Sequence, residues 1–193
     1  IGIDEDGRPY ITTSDGSREK VVRKGKGKSV IDFPSTYTVL DIETTGLDPR
    51  YCEIIEISAM KYSSGQNIGT FSTLVKPSEP IDEYITSLTG ITNDMLKSAP
   101  DISETMQKFY NFVGSDLIVG YNVNFDINFL YDNLLNCRSL ILSNSFIDVM
   151  RIARNILPGL KNHKHISYCR YLKNYFRYQP KGLACVNMIQ ITA

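Results

Sequence analysis

The 193-residue chain carries 21 Lys and Arg against 21 Asp and Glu, so its formal net charge is zero; 42% of its residues are hydrophobic. That length suits one domain with a sizeable core, and no apolar stretch is long enough to span a membrane. No signal-peptide pattern opens the chain, which predicts a cytosolic protein, and the scattered Cys52, Cys137, Cys169 and Cys185 form neither a zinc motif nor a disulfide framework.

Charge is unevenly spread. Residues 1–32 sum to +1, 33–148 to −9 and 149–193 to +8, with Asp148 the last acidic side chain. An acidic middle between basic flanks suits metal ligands beside a phosphate-binding rim, and equally an ordinary dipolar surface.

Residues 1–32 are Gly-rich and basic from Arg18 to Lys28, with few large apolar side chains. Such a segment buries too little surface to offset its ordering entropy, so it reads as a mobile arm or linker able to touch nucleic-acid backbone. Because the chain begins at Ile1 and not Met, a fragment or processed product is expected.

Phe33-Pro34 opens the folded part, expected over 33–180. Val39 to Gly46 (Val-Leu-Asp-Ile-Glu-Thr-Thr-Gly) reads as a buried strand closed by turn chemistry. Asp41 and Glu43, two apart, project from one face of it. Two buried acids side by side resist desolvation unless a cation lies between them, and hard carboxylate oxygens suit Mg²⁺ or Mn²⁺. The alternative is an edge strand with two solvated acids.

Glu53–Tyr62 and Thr70–Val75 read as second and third strands, making an antiparallel meander. Residues 80–96 are irregular, with Leu88-Thr-Gly-Ile-Thr92 as a loop between short helices. Asp101 caps a helix whose inner face is Ile102, Met106, Phe109 and Val113, with Glu104 as capping-box partner and Gly114 as its stop. Leu117–Val119 is a brief strand. A helix through about Cys137 follows, Asp126 in its first turn and Phe129, Leu130 and Leu134 inward. Phe146–Val149 reads as a strand, 150–157 as a helix, and Ile166–Phe176 as a further helix before a divergent tail over 181–193. This order makes an α/β or α+β layer fold.

Asp41-Ile-Glu43-Thr-Thr-Gly, Leu88-Thr-Gly-Ile-Thr92 and Val119-Gly-Tyr-Asn-Val-Asn-Phe-Asp126, in that order, resemble motifs of the DEDD (DEDDh-type) 3′→5′ exonucleases, in particular the proofreading exonuclease of bacterial DNA polymerase III. The resemblance covers about 33–180. It implies an α/β ribonuclease-H-like fold: a mixed five-stranded sheet flanked by helices, here with the C-terminal helix missing or altered. It also implies two divalent ions, Mg²⁺ or Mn²⁺, held by Asp41, Glu43 and Asp126 and acting by a two-metal scheme. Thr44 and Thr45 would meet the terminal nucleotide, Thr44 through its N–H. Leu88 and Thr89 would pack on the base and sugar, and Asn122 and Phe125 would shape the other wall; for Phe125 a place in the core is an equal expectation.

The family's third motif, a His followed five residues later by an Asp, has no counterpart: after Lys181-Gly182 the chain reads Leu-Ala-Cys-Val-Asn-Met-Ile-Gln-Ile-Thr-Ala. His163 and His165 are followed at that spacing by Tyr168 and Arg170, so they fit a surface near the phosphate path better than a base. The expectation is an exonuclease domain acting on single-stranded or frayed 3′ ends, DNA in preference to RNA, in the context of a polymerase or another replication or repair domain, and impaired by the missing motif. An RNA-trimming exonuclease and a nonhydrolytic nucleic-acid-binding module are the alternatives.

Overall fold

In this computed structural model the described residues are 2–3, 9–10 and 21–156. Two-residue strands β1 (Gly2–Ile3) and β2 (Pro9–Tyr10) pair antiparallel. The domain is built on β3 (Thr36–Thr44), β4 (Ile54–Ser63) and β5 (Gln66–Leu74), then α1 (Glu83–Thr89), α2 (Asn93–Leu96), α3 (Ile102–Val113), β6 (Leu117–Gly120), α4 (Asn124–Arg138), β7 (Phe146–Asp148) and α5 (Val149–Ile156). The sheet order is β5-β4-β3-β6-β7, antiparallel through the β3–β4–β5 meander and parallel from β3 to β6 to β7. This is the mixed five-stranded sheet with flanking helices that the motifs implied. The expected helix over 166–176, the divergent tail, and His163 and His165 lie outside the described residues.

Period-two alternation divides β3 between two layers. Leu40 and Ile42 enter the main core with Met106 and Phe109 of α3 and Ile127, Phe129, Leu130 and Leu134 of α4. Tyr37 and Val39 face the other way, with Tyr62, Val119 and Ile147, against Val149 and Ile152 of α5. Asp41 and Glu43 continue that second face toward the carboxyl end of the strand.

The helices that carry the main core end where their sequences say they should. Asp101 caps α3 by accepting the N–H of Glu104 at 2.8 Å, while the Glu104 side chain turns outward to Lys108, so half of the expected capping box forms. Gly114 closes α3 and donates its N–H to Tyr110 O. A third cluster gathers Ile81, Ile85, Ile91 and Leu96 around Ile55, holding α1 and α2 against β4. Leu88 and Thr89 are the last residues of α1, Gly90 caps it at φ +76°, and Thr92 caps α2, so the expected loop is a helix end and the next helix start.

Residues 21–30, the described part of the basic segment, are docked on the domain. Val30 N donates to Phe146 O and Phe146 N to Lys28 O, covering the outer edge of β7. Arg23 forks onto Asp132 of α4, Nε to Oδ1 at 2.8 Å and Nη2 to Oδ2 at 2.6 Å, and Tyr131 Oη donates to Lys24 O. Gly27 passes so close to Asn144 that a Cβ there would lie 1.7 Å from its carbonyl oxygen.

Candidate active site

The carboxyl ends of β3, β6 and β7 point the same way, and at such an edge of a parallel sheet loops leave an open crevice. Asp41 and Glu43 sit at the end of β3, Asp148 ends β7 opposite Gly120 of β6, and Asp126 is in the first turn of α4. One hydrogen bond joins the distant pieces: Asp126 Oδ1 accepts the N–H of Ile42, the residue between Asp41 and Glu43, at 3.0 Å. The chain reaches this arrangement because β6 runs beside β3 and turns sharply after Gly120. A Cβ at Gly120 would lie 2.7 Å from Leu40 O, and Asn122 takes φ +57°.

Two acids that the motif spacing did not single out complete the group. Glu56 of β4 is the direct cross-strand partner of Glu43, and Asp148 accepts the N–H groups of Asn122 and Met150, both at 3.0 Å. For Asp148 the signal was its place at the end of a short apolar strand. For Glu56 it was an acid alternating with Ile55 and Ile57.

The electrostatics follow from crowding. Burial, then Glu43, then Glu56 push the Asp41 carboxyl up to about 7. Burial and Glu56 raise Glu43. Asp126 is only 4% exposed and is held well above the ordinary carboxylate range by burial and then by Asp41, although N–H groups including that of Ile42 pull the other way. Asp148 is raised by burial, against hydrogen bonds from Arg151, Asn122 and Met150 and the charge of Arg154. Among the described residues no group of three or more His, Cys, Asp or Glu side chains is gathered tightly enough to hold an ion as it stands. The donor set nevertheless fits a hard divalent cation: it consists of carboxylate oxygens whose mutual repulsion a cation would relieve.

The remaining residues named from sequence surround this point in different ways. Thr44 Oγ1 donates to Gly46 O at 2.7 Å. Thr45 exchanges bonds with Glu53, its N–H to Glu53 O and its Oγ1 accepting Glu53 N, both at 2.9 Å. The loop beyond is stiffened by a bidentate Arg50–Asp48 pair. Leu88 is 67% exposed at the end of α1, and Thr89 Oγ1 donates to Ile85 O within the same helix. Asn122 sits in the β6–α4 turn beside Asp148. Phe125 packs on Phe129, ring centroids 4.9 Å apart, against the main core; the equal expectation of a core role is thus the one its contacts favour.

An exonuclease family model, RNase_T, matches residues 38–181. A DNA polymerase III of PolC type from Bacillus subtilis (strain 168) is 38% identical over 138 residues, covering 70% of this chain. The chain spans only 10% of that relative's length. Exonuclease X in complex with 5′ overhanging duplex DNA is 26% identical with a TM-score of 0.57, covering 71% of this chain and 73% of the other. Escherichia coli Exonuclease I in complex with a dT13 oligonucleotide has a TM-score of 0.56 at 22% identity, over 67% of this chain and 32% of the other, a likeness of fold.

Proposed function

Because the chain belongs to the exonuclease family that this model describes, we propose that its 33–180 region is a 3′→5′ exonuclease domain that hydrolyses nucleotides from DNA 3′ ends. Asp41, Glu43 and Asp126 hold two divalent ions, Mg²⁺ or Mn²⁺. When bound, such a pair supplies an activated water and stabilises the leaving 3′ oxygen. The observation that carries the proposal is the Asp126 bond to Ile42 N, which ties an acid from α4 to the backbone between the two acids of β3.

The chain's own residues have separable tasks. Asp41 and Glu43 share one strand face, and Asp126 approaches from a helix that the Gly120 turn aims at them. Thr44, Thr45, Leu88 and Thr89 meet the terminal nucleotide, and Asn122 shapes the opposite wall, which Phe125 backs from its place on Phe129. The exposed Leu88 offers an apolar surface on which a base can pack. The PolC-type relatives support a proofreading context and association with a polymerase. No helix among the described residues is long and apolar enough to cross a membrane; a cytoplasmic replication setting is inferred from the PolC-type relatives.

A second reading, a nucleic-acid-binding module without hydrolysis, draws on the stretch after Lys181-Gly182, which does not match the family's third motif; a domain working without that His and Asp would turn over slowly. Losing a general base slows proton transfer by about 10²–10⁴-fold. The test is a 5′-labelled single strand, DNA or RNA, incubated with Mn²⁺. Stepwise shortening from the 3′ end that Asp41→Ala abolishes supports the hydrolase. Binding of Mn²⁺ and DNA by folded protein without any shortening supports the module, and faster shortening of RNA than of DNA would reassign the substrate.

A further inference from the structure

Beside the acids, on the side away from β4, lies a cavity of about 400 Å³ between the docked segment, the start of α4 and the first turn of α5. Its wall is mostly cationic and amide-rich: Arg23, Lys26 and Arg151 line it together with Asn124 and Asn128, and Asp148 of the acid cluster lines it too.

Three features of this wall point to an anion. Lys26 Nζ donates to Asn124 Oδ1 and to Asn128 Oδ1, both at 2.7 Å, so among the described residues its hydrogen bonds go to neutral amides. Arg151 Nη1 donates to the Ser29 hydroxyl at 3.1 Å, again a neutral partner. Asn124 and Asn128 lie one turn apart on the 15-residue helix α4, so both amides face Lys26 from one side of the helix. The docking of the segment does not rest on Lys26 alone, since the Arg23–Asp132 fork, the pairing with Phe146 and the close passage of Gly27 also hold it. Burial and then Arg23 lower the Lys26 ammonium to about 8, against the charge of Asp132.

We propose that this cavity binds the phosphate of a nucleotide, with Lys26 and Arg151 as its ligands. The proposal rests on the exonuclease reading and names a second point of contact for that substrate. The volume suits one nucleotide. Two sources share the chemistry: the 5′-monophosphate product, and a strand phosphate passing the catalytic acids. A metal is disfavoured by the cations, and a carboxylate ligand would leave part of the amide row underused.

The test is binding by the full chain in EDTA, where the acid cluster holds no ion. Thymidine 5′-monophosphate and thymidine are titrated by calorimetry, and a short fluorescein-labelled oligothymidylate by anisotropy across a salt series. Lys26→Gln and Arg151→Gln are each expected to weaken binding about 5–10-fold and to flatten the salt slope by about one counterion. Weakening toward the mononucleotide assigns the cavity to the product; weakening toward the oligomer alone assigns it to the strand. Folded variants that bind both probes as the parent does overturn the proposal, as does thymidine binding as tightly as its monophosphate. Should Lys26→Gln fail to fold, Arg151→Gln, at an exposed position, carries the test. Turnover with Mn²⁺ is followed on the same samples. Lys26-dependent binding without turnover removes the hydrolase and keeps the pocket, whereas turnover with unaltered phosphate affinity does the reverse.

Discussion

Glu43 and Glu56 are directly opposed residues of adjacent antiparallel strands. Like charges so placed are destabilising by roughly 0.2–1 kcal/mol when solvated, and here Asp41 lies next along the same face. No fold needs this arrangement. Together with Asp126 against Ile42 N, it concentrates negative charge that only a bound cation, or protons, can relieve.

Metal-free protein should therefore be more stable at mildly acidic than at alkaline pH. Asp41 has its pKa raised from 3.8 to about 7 on folding, so its protonated form favours the native state. The stability is complete below the unfolded value and is lost as pH rises through about 7. In EDTA, the thermal midpoint should fall between pH 5.5 and pH 8.5, a loss on the order of 1–2 kcal/mol. Mn²⁺ at pH 8.5 should restore it. A midpoint independent of pH in EDTA would contradict the strained acid group.

Glu56→Gln should raise the midpoint of the metal-free protein at pH 8.5 by the equivalent of about 0.5–1 kcal/mol, because it removes the charge opposing Glu43. The same change should weaken Mn²⁺ uptake several-fold, measured by calorimetry, since a cation gains from every acid near it. Unchanged uptake would show that Glu56 acts on Asp41 and Glu43 without reaching the ion.

The Glu56 partnership also shows where sequence reasoning stopped. The strands of the meander were legible because Ile54–Tyr62 alternates and Ser-Ser-Gly marks the turn, although β3 starts three residues before Val39 and β5 four before Thr70. In β5 the extra residues are mostly exposed, and in β3 the buried Tyr37 lies between two threonines, too short a stretch to show a period. Which residue faces Glu43 was not legible. Ile55 is unpaired at a bulge between the Glu43–Glu56 and Thr44–Ile54 pairs, and it leaves the sheet for the α1 cluster. Register across a long β3–β4 loop is set by that tertiary contact, which no local pattern carries. The docking of 21–30 escaped for a related reason. A Gly-rich basic segment offers no apolar periodicity, and it is held by one Arg–Asp fork, edge pairing and the narrow passage at Gly27.

Gly27→Ala tests that docking without altering any charge. The new Cβ would fall 1.7 Å from Asn144 O, so the segment must move away from β7. Amide exchange at Val30 and Phe146, whose N–H groups pair across this edge, should accelerate, with a stability loss of about 1–3 kcal/mol. Protection equal to that of the parent would mean the segment bypasses Asn144 at little cost.

Asp126 separates structural from chemical roles by one pair of variants. Its Oδ1 satisfies the buried N–H of Ile42, a bond that an amide oxygen can also make. Asp126→Asn keeps the acceptor and removes a desolvated charge close to Asp41, so the metal-free protein should be at least as stable as the parent at pH 8.5. Asp126→Ala removes both and leaves Ile42 N–H without its partner, which costs about 1–3 kcal/mol; relief of the charge offsets part of this. The alanine variant should therefore melt below the asparagine one. Both should lose Mn²⁺-dependent shortening of a labelled strand to the same degree, because a neutral amide is a poor substitute for a carboxylate on a hard cation. Equal melting of the two variants would mean the Ile42 bond does not hold α4 to β3. Turnover surviving in Asp126→Asn would remove this acid from the proposed ligand set.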